Sequence, residues 1–533
     1  MGKISDIVGT GIAGSVSNLE FRQQHSKKGT PQSPVAITFP DKGNRFFSFV
    51  LNKTLNRKYL LIALVGTILQ FVVFKILYPF PDFISDSYSY IATNIYHMDV
   101  NLWPIGYSIF LSGVHMISHS DTFLVGLQYF LLEGSLAYLF FSVLYLYRPA
   151  KSIAMTLYIF LFFNPMFLYL SNAVLSDSIF AALTIVFLTQ FLWMFHRSTI
   201  TQIIVQGVII GLCFPIRYTA IYYPLVALVG LLLSKHKFPV KVFGFLIGIV
   251  PMVSFYFYTK QKTKEITGTS EFSVFGGWQI ANNALYMYGH INVDSNNLPP
   301  ETHSLDEASK QFFERFHPSP QELAALPGTY FMKVPYAILK PYMAARYSYD
   351  NPREQFKVWG LVSPIYKKYG TWLITNYPIQ FAQYYLWLNT KNYFLPHLEK
   401  FEIYNLGIKT VPSHVQDWFG YITPYVRSIS ANIQGKLFYI YPILFMVLNF
   451  YFMIRMCWLF LSKGINKLTP FFKTTLIFIS FFLFANFCFS VFATPVVLRY
   501  QLIPLIFLFI FSMFLLELPG KAKKESSKQI SSL

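Results

Sequence analysis

The sequence predicts an all-α polytopic membrane protein of about ten transmembrane helices, with juxtamembrane helices and an extracytoplasmic domain. Three observations carry that expectation. Of 533 residues, 54% are hydrophobic and only 13% are charged, about half the charged share of a soluble chain. The 57 Phe and 37 Tyr gather in continuous apolar runs, as helices need when lipid offers their backbone groups no partner. Runs of about twenty residues exclude a β-barrel, whose strands would read as alternating segments of about ten.

Residues 1–58 are polar and basic (Lys3, Arg22, Lys27, Lys28, Lys42, Arg45, Lys53, Arg57, Lys58) and lack the short apolar core and cleavage site of a signal peptide. Apolar spans follow at 59–79, 122–147, 152–170, 177–195, 200–218, 220–234, 239–259, 437–461, 470–493 and 497–517. Residues 59–259 thus form a transmembrane core with an outer loop at 80–121. Residues 435–517 carry the last three spans, and 518–533 form a basic tail. Segment 104–118 would invert everything downstream if it crossed, and loop charge decides against that. Without it, Arg148, Lys151, Arg197, Lys235, Lys237, Lys241, Lys463, Lys467, Lys521, Lys523, Lys524 and Lys528 share the N-terminal side, while 80–121 holds no Lys or Arg. The positive-inside rule then puts both termini in the cytoplasm and makes 104–118 an interfacial or re-entrant outer helix.

Residues 260–434 must fold outside, as a domain too long to be a passive connection. Trp372, Trp387 and Trp418 are its candidates for resting on the membrane. The net charge of +19 collects in the loops, so it reads as topology and implies no nucleic-acid partner. Cys213, Cys457 and Cys488 lie inside apolar runs and leave the redox compartment open. The lone sequon, Asn52-Lys53-Thr54, falls on the cytoplasmic side, which points to a bacterial inner membrane. No internal repeat of fixed period is visible, which weighs against transporter folds built from duplicated halves, and the lack of a P-loop, dinucleotide fingerprint or zinc spacing argues against a nucleotide-driven pump.

Ionisable residues placed where hydrocarbon or topology should exclude them mark the candidate site. Asp86 follows the first span, with Asp82 one turn earlier and Tyr88 beside it. It is either a helix cap or a general base held over the membrane surface. Asp177 opens the fourth span in Ser176-Asp177-Ser178 and again reads as a cap, or as a second catalytic acid that shares a metal or orients the base. Arg217 and the Arg499-Tyr500 pair end or open spans on the outer face, where the orientation rule expects no cation. They snorkel to headgroups, or they clamp a phosphate, whose oxygens match the guanidinium fork. His115 and His119 have i, i+4 spacing but read better as an interfacial helix face. Glu133 lies mid-membrane and must be paired or protonated, with Lys75 a conceivable partner.

The chain resembles the GT-C superfamily of polytopic glycosyltransferases, in the branch of protein O-mannosyltransferases and lipid A aminoarabinose transferases. The resemblance lies in Ser85-Asp86-Ser87, Trp103-Pro104-Ile105-Gly106-Tyr107, Asn164-Pro165 followed by Leu175-Ser176-Asp177-Ser178, the segment 211–217, and Pro495 to Tyr500. It implies a catalytic carboxylate at Asp86 and phosphate ligands at Arg217 and Arg499. Many relatives carry an adjacent Asp-Glu pair in the first loop, whereas Asp86 is flanked by serines, which raises Asp82 or Asp177 as the second acid. The implied reaction is inverting transfer of a sugar from a polyprenyl-phosphate-linked donor to a lipid, glycan or protein acceptor. No cofactor is required, and a divalent metal is left open. The alternatives are a flippase for a lipid-linked saccharide, an O-antigen-type polymerase or ligase using a diphosphate donor, and a non-catalytic scaffold.

Overall fold

The computed structural model describes residues 46–326, 328–493 and 495–530, with side chains described as far as Leu518. The basic residues from Lys3 to Arg45, and the side chains of the tail lysines, lie outside the described residues. Secondary structure is helical throughout, with three isolated β-bridges and no strand among the described residues.

Among the described residues, eight helices are long and apolar enough to cross a membrane, so the chain is an integral multi-pass protein. A short helix α1 (Phe46–Asn52) leads into α2 (Thr54–Leu77). Two small helices follow, α3 (Ser85–Ile95) and α4 (Gly106–Ile117), before α5 (Asp121–Tyr147). The 12-residue α4 is too short to span. Next come α6 (Lys151–Phe162) and α7 (Pro165–Ser171), one apolar rod broken where the Asn164 side chain accepts from Met166 N at 3.0 Å and Pro165 starts a new helix. Then α8 (Asp177–His196), α9 (Ile200–Ile216), α10 (Tyr223–Leu233) and α11 (Phe238–Thr267) complete the first bundle. Helices Ile440–Leu461, Pro470–Phe492 and Leu502–Ile530 close it. The fifth and sixth expected spans, α9 and α10, fall short of the length of the other eight. Helix ends also overrun the hydropathy limits, α2 beginning at Thr54 and α11 running on to Thr267. Helix propensity does not stop where hydrocarbon does, since Lys, Arg, Gln and Glu are good helix formers.

Burial sorts the helices. Only 17% of the apolar window of α2 and of α11 is buried, against 78% for α8 and for the last helix. The outer pair therefore turns Leu64, Val65, Leu69, Phe243 and Val250 outward, a surface that water would not tolerate and lipid favours.

Residues 260–434 divide in two. Residues 278–385 build their own core, in which helix Val274–Leu285 lies flat on helix Pro352–Asn376. A Cβ on Gly277 would meet the Ser363 carbonyl oxygen at 2.0 Å, so only glycine allows this approach. Trp278 stacks on Trp359 at 4.0 Å beside the contact. Residues 393–438 instead pack on the bundle, adding Tyr393, Phe401, Tyr404 and Phe438 to its core. Hydrogen bonds stitch this second part down: Ile429 N to Leu77 O at 2.8 Å, Tyr404 hydroxyl to Pro81 O at 3.0 Å and Tyr421 hydroxyl to Asp121 Oδ2 at 2.5 Å. Trp387 is exposed, while Trp372 and Trp418 are half-buried.

Candidate active site

Two β-bridges bring distant charges to one end of the bundle. Asp82 pairs with Ala173 in parallel, with Asp82 N donating to Asn172 O at 3.0 Å and Val174 N to Asp82 O at 3.2 Å. This lays the start of α3, with Asp86, beside the start of α8, with Asp177. The second bridge joins His397 to Val497, with Leu498 N donating to His397 O at 2.8 Å, and sets Glu399 beside Arg499. Arg217 arrives separately, at the C-terminal end of α9, two residues after Pro215 interrupts that helix.

These residues line one cavity of about 1250 Å³. Its walls carry Asp86, Asp177 and Glu399 against Arg217, Arg499, Lys333, Lys340 and Lys400, with Tyr88, Tyr90, Trp103 and Tyr500 among the aromatics. The fractional exposure of Arg499 is 7%, so it does not snorkel to headgroups.

The charges form a chain. Asp177 Oδ1 is held by Arg217, and its Oδ2 accepts from Arg499 Nη1 at 3.2 Å. Arg499 Nε then donates to Glu399 Oε2 at 2.9 Å, and Lys333 Nζ reaches Glu399 Oε1 at 3.2 Å. The Tyr500 ring lies against both guanidiniums, 4.5 Å from Arg217 and 4.4 Å from Arg499, an arrangement that favours planar cations. Asp177 is thus neither a simple helix cap nor a free acid: both of its oxygens are spent on arginines.

Asp86 differs. Its Oδ1 accepts from the neighbouring Ser85 hydroxyl at 3.3 Å, and no ion pair claims it among the described residues. Burial pushes its carboxyl above the usual carboxylate range, against the pull of Arg499 and Lys333. Glu399 moves the other way. Burial works to raise it, but Arg499 and Lys333 together hold it at about 2. Glu399 also adopts a left-handed backbone at φ 50°, a costly conformation that persists where surrounding contacts enforce it.

The remaining expected residues separate. Asp82 is buried outside the cavity lining, and its Oδ1 accepts from Asn405 N at 3.1 Å while Phe83 N donates to Asn405 Oδ1 at 2.9 Å. Burial raises its carboxyl despite the charge of Lys400. Asp82 therefore clips two chain segments together and does not face the site. Tyr88 does line the cavity, with its ring edge-on to His414 at 6.1 Å. His115 stacks on Trp418 at 3.9 Å and lies 4.0 Å from His119, and no group of three or more metal-ligating side chains occurs among the described residues. No ion pair joins Lys75 to Glu133 among the described residues.

Lys333, Glu399 and Lys400 escaped sequence reasoning. They sit in a stretch of mixed charge where an acid or a lysine is ordinary, and only the pairing of His397 with Val497 reveals them. No protein-family model, curated protein or solved structure matches the chain.

Proposed function

We propose that the chain is a membrane glycosyltransferase of GT-C type, moving a sugar from a polyprenyl-phosphate-linked donor to an acceptor on the extracytoplasmic face. One observation carries the reading: a large cavity holds a carboxylate, Asp86, that forms no ion pair among the described residues, together with a surplus of cations. A general base works best when its pKa is drawn toward the operating pH, and burial draws that of Asp86 upward.

Asp86 takes the proton of the acceptor hydroxyl or amine as that group attacks the anomeric carbon. The bond from that carbon to the phosphate oxygen breaks, the configuration inverts, and the lipid phosphate leaves with its charge already met by the cationic wall. Asp177 is a positioning residue here: it fixes Arg217 and Arg499 in a pose they would otherwise spend rotamer entropy to reach. This replaces the expectation of Asp177 as a second catalytic acid, because an oxygen held by a guanidinium is a poor proton acceptor.

Asp86→Asn should cut turnover by about 10² to 10⁴, the size typical of a lost general base, with folding and donor binding intact. Near-normal turnover by the purified variant removes Asp86 from this role. Arg499→Ala should weaken use of the lipid donor, and an unaltered dependence of rate on donor concentration would count against the clamp.

A further inference from the structure

The cavity is lined by five cations and three carboxylates, and the excess has an address. Arg217 and Arg499 are matched by Asp177 and Glu399, Lys333 by Glu399, and Lys340 Nζ donates to Lys333 O at 2.8 Å. Lys400 has none of this. Its residue exposure is 3%, it borders the cavity, and its ammonium nitrogen is buried with no hydrogen-bond partner among the described residues. Asp82, the acid that acts most strongly on Lys400, spends Oδ1 on the Asn405 backbone and forms no ion pair with Lys400 among the described residues. An ammonium left alone away from water is costly, and proteins keep one where a ligand comes to meet it. Burial lowers the Lys400 pKa, partly offset by Asp82, and an incoming anion would favour its charged form.

We infer that Lys400 is the cation that meets the phosphate of the substrate, extending its flexible stem from the wall it belongs to into the cavity, while the arginine pair serves as an internally neutralised backing. The inference rests on the lipid-phosphate reading above and assigns the contact that reading left shared among the cations. The backbone is fixed for the task, with Gln434 Nε2 donating to Lys400 O at 2.8 Å, while the four-carbon side chain keeps its freedom.

The test measures binding to the full chain in detergent of three probes: farnesyl phosphate, inorganic phosphate and farnesol. Wild type should bind farnesyl phosphate best and farnesol least. Inorganic phosphate competing as well as the lipid would assign the site to free phosphate. In Lys400→Met, farnesyl phosphate should bind at least tenfold more weakly with farnesol unchanged, and Lys400→Arg should restore binding to within threefold. Unchanged phosphate affinity in folded Lys400→Met overturns the inference and leaves the function proposal standing. Equal loss of farnesol and farnesyl phosphate marks a structural role and overturns it too. Failure of wild type to prefer either phosphate probe over farnesol defeats both. Should Lys400→Met not fold, wild type treated with farnesyl sulfonyl fluoride decides. Peptide mass spectrometry should find the sulfonamide on Lys400, and labelling confined to Lys333 or Lys340 would overturn the assignment.

Discussion

Three carboxylates within one cavity have three fates, and partner geometry decides each. Asp177 gives both oxygens to arginines, Glu399 is shared by Arg499 and Lys333, and Asp86 accepts from the Ser85 hydroxyl with no ion pair among the described residues. Asp177→Ala takes from Arg217 its ion-pair partner and from the buried Arg499 one of two, and should cost about 3–5 kcal/mol, read as a lower melting temperature, whereas Asp86→Asn should leave melting within a degree or two. Equal melting of wild type and Asp177→Ala would contradict the charge chain. Glu399 stabilises in a definite pH window. Its folded pKa of about 2 lies below the ordinary 4.5, so its contribution is complete above that ordinary value and disappears as pH falls toward the folded one. The melting advantage of wild type over Glu399→Gln should follow that course. For Asp86 the sign is opposite: a raised pKa moves the acidic limb of kcat/KM above the range of a free aspartate, about 3.9, and a limb at or below it would remove the burial argument.

Helix ends carry the site, and one close approach sets its shape. A Cβ on Gly106, at the start of α4, would lie 2.6 Å from the Pro215 carbonyl oxygen, two residues before Arg217. Gly106→Ala should therefore displace the end of α9 and lower activity in a folded protein, while Gly113→Ala, with open space around it, should leave activity unchanged. Equal activities would show that α4 does not position Arg217. The same elements show what the sequence could reveal. Asp86, Asp177, Arg217 and Arg499 were legible because apolar runs make a charge at their ends conspicuous. Asp82 was over-read, since its use by the Asn405 backbone depends on a contact more than three hundred residues away along the chain. Lys400 was invisible for the converse reason: in a polar stretch nothing about a lysine announces that folding will bury it.

At the scale of the molecule, Arg148, Lys151, Arg197, Lys235, Lys237, Lys463 and Lys467 lie at helix ends away from the cavity, and the proposed topology, which follows the positive-inside rule, puts that end in the cytoplasm. With Cys213, Cys457 and Cys488 replaced, a cysteine at Glu307 should react with a membrane-impermeant thiol reagent in intact cells, and one at Lys237 only after lysis. The reverse pattern would put the cavity on the wrong face for the proposed reaction. The helical, multi-pass character was readable from hydropathy alone, whereas the split of residues 260–434 was not. Which apolar residues join which core depends on the Gly277 approach and on the long-range stitches to α2 and α5, and neither leaves a periodic trace.

The most direct test reconstitutes wild-type protein in vesicles with a synthetic polyprenyl phosphate carrying a radiolabelled sugar, together with an extract of cell-envelope acceptors. The account predicts that label passes to acceptor while free polyprenyl phosphate accumulates in equal amount, and that Asp86→Asn abolishes both. Label crossing the bilayer still attached to its lipid, with no phosphate released, would contradict it.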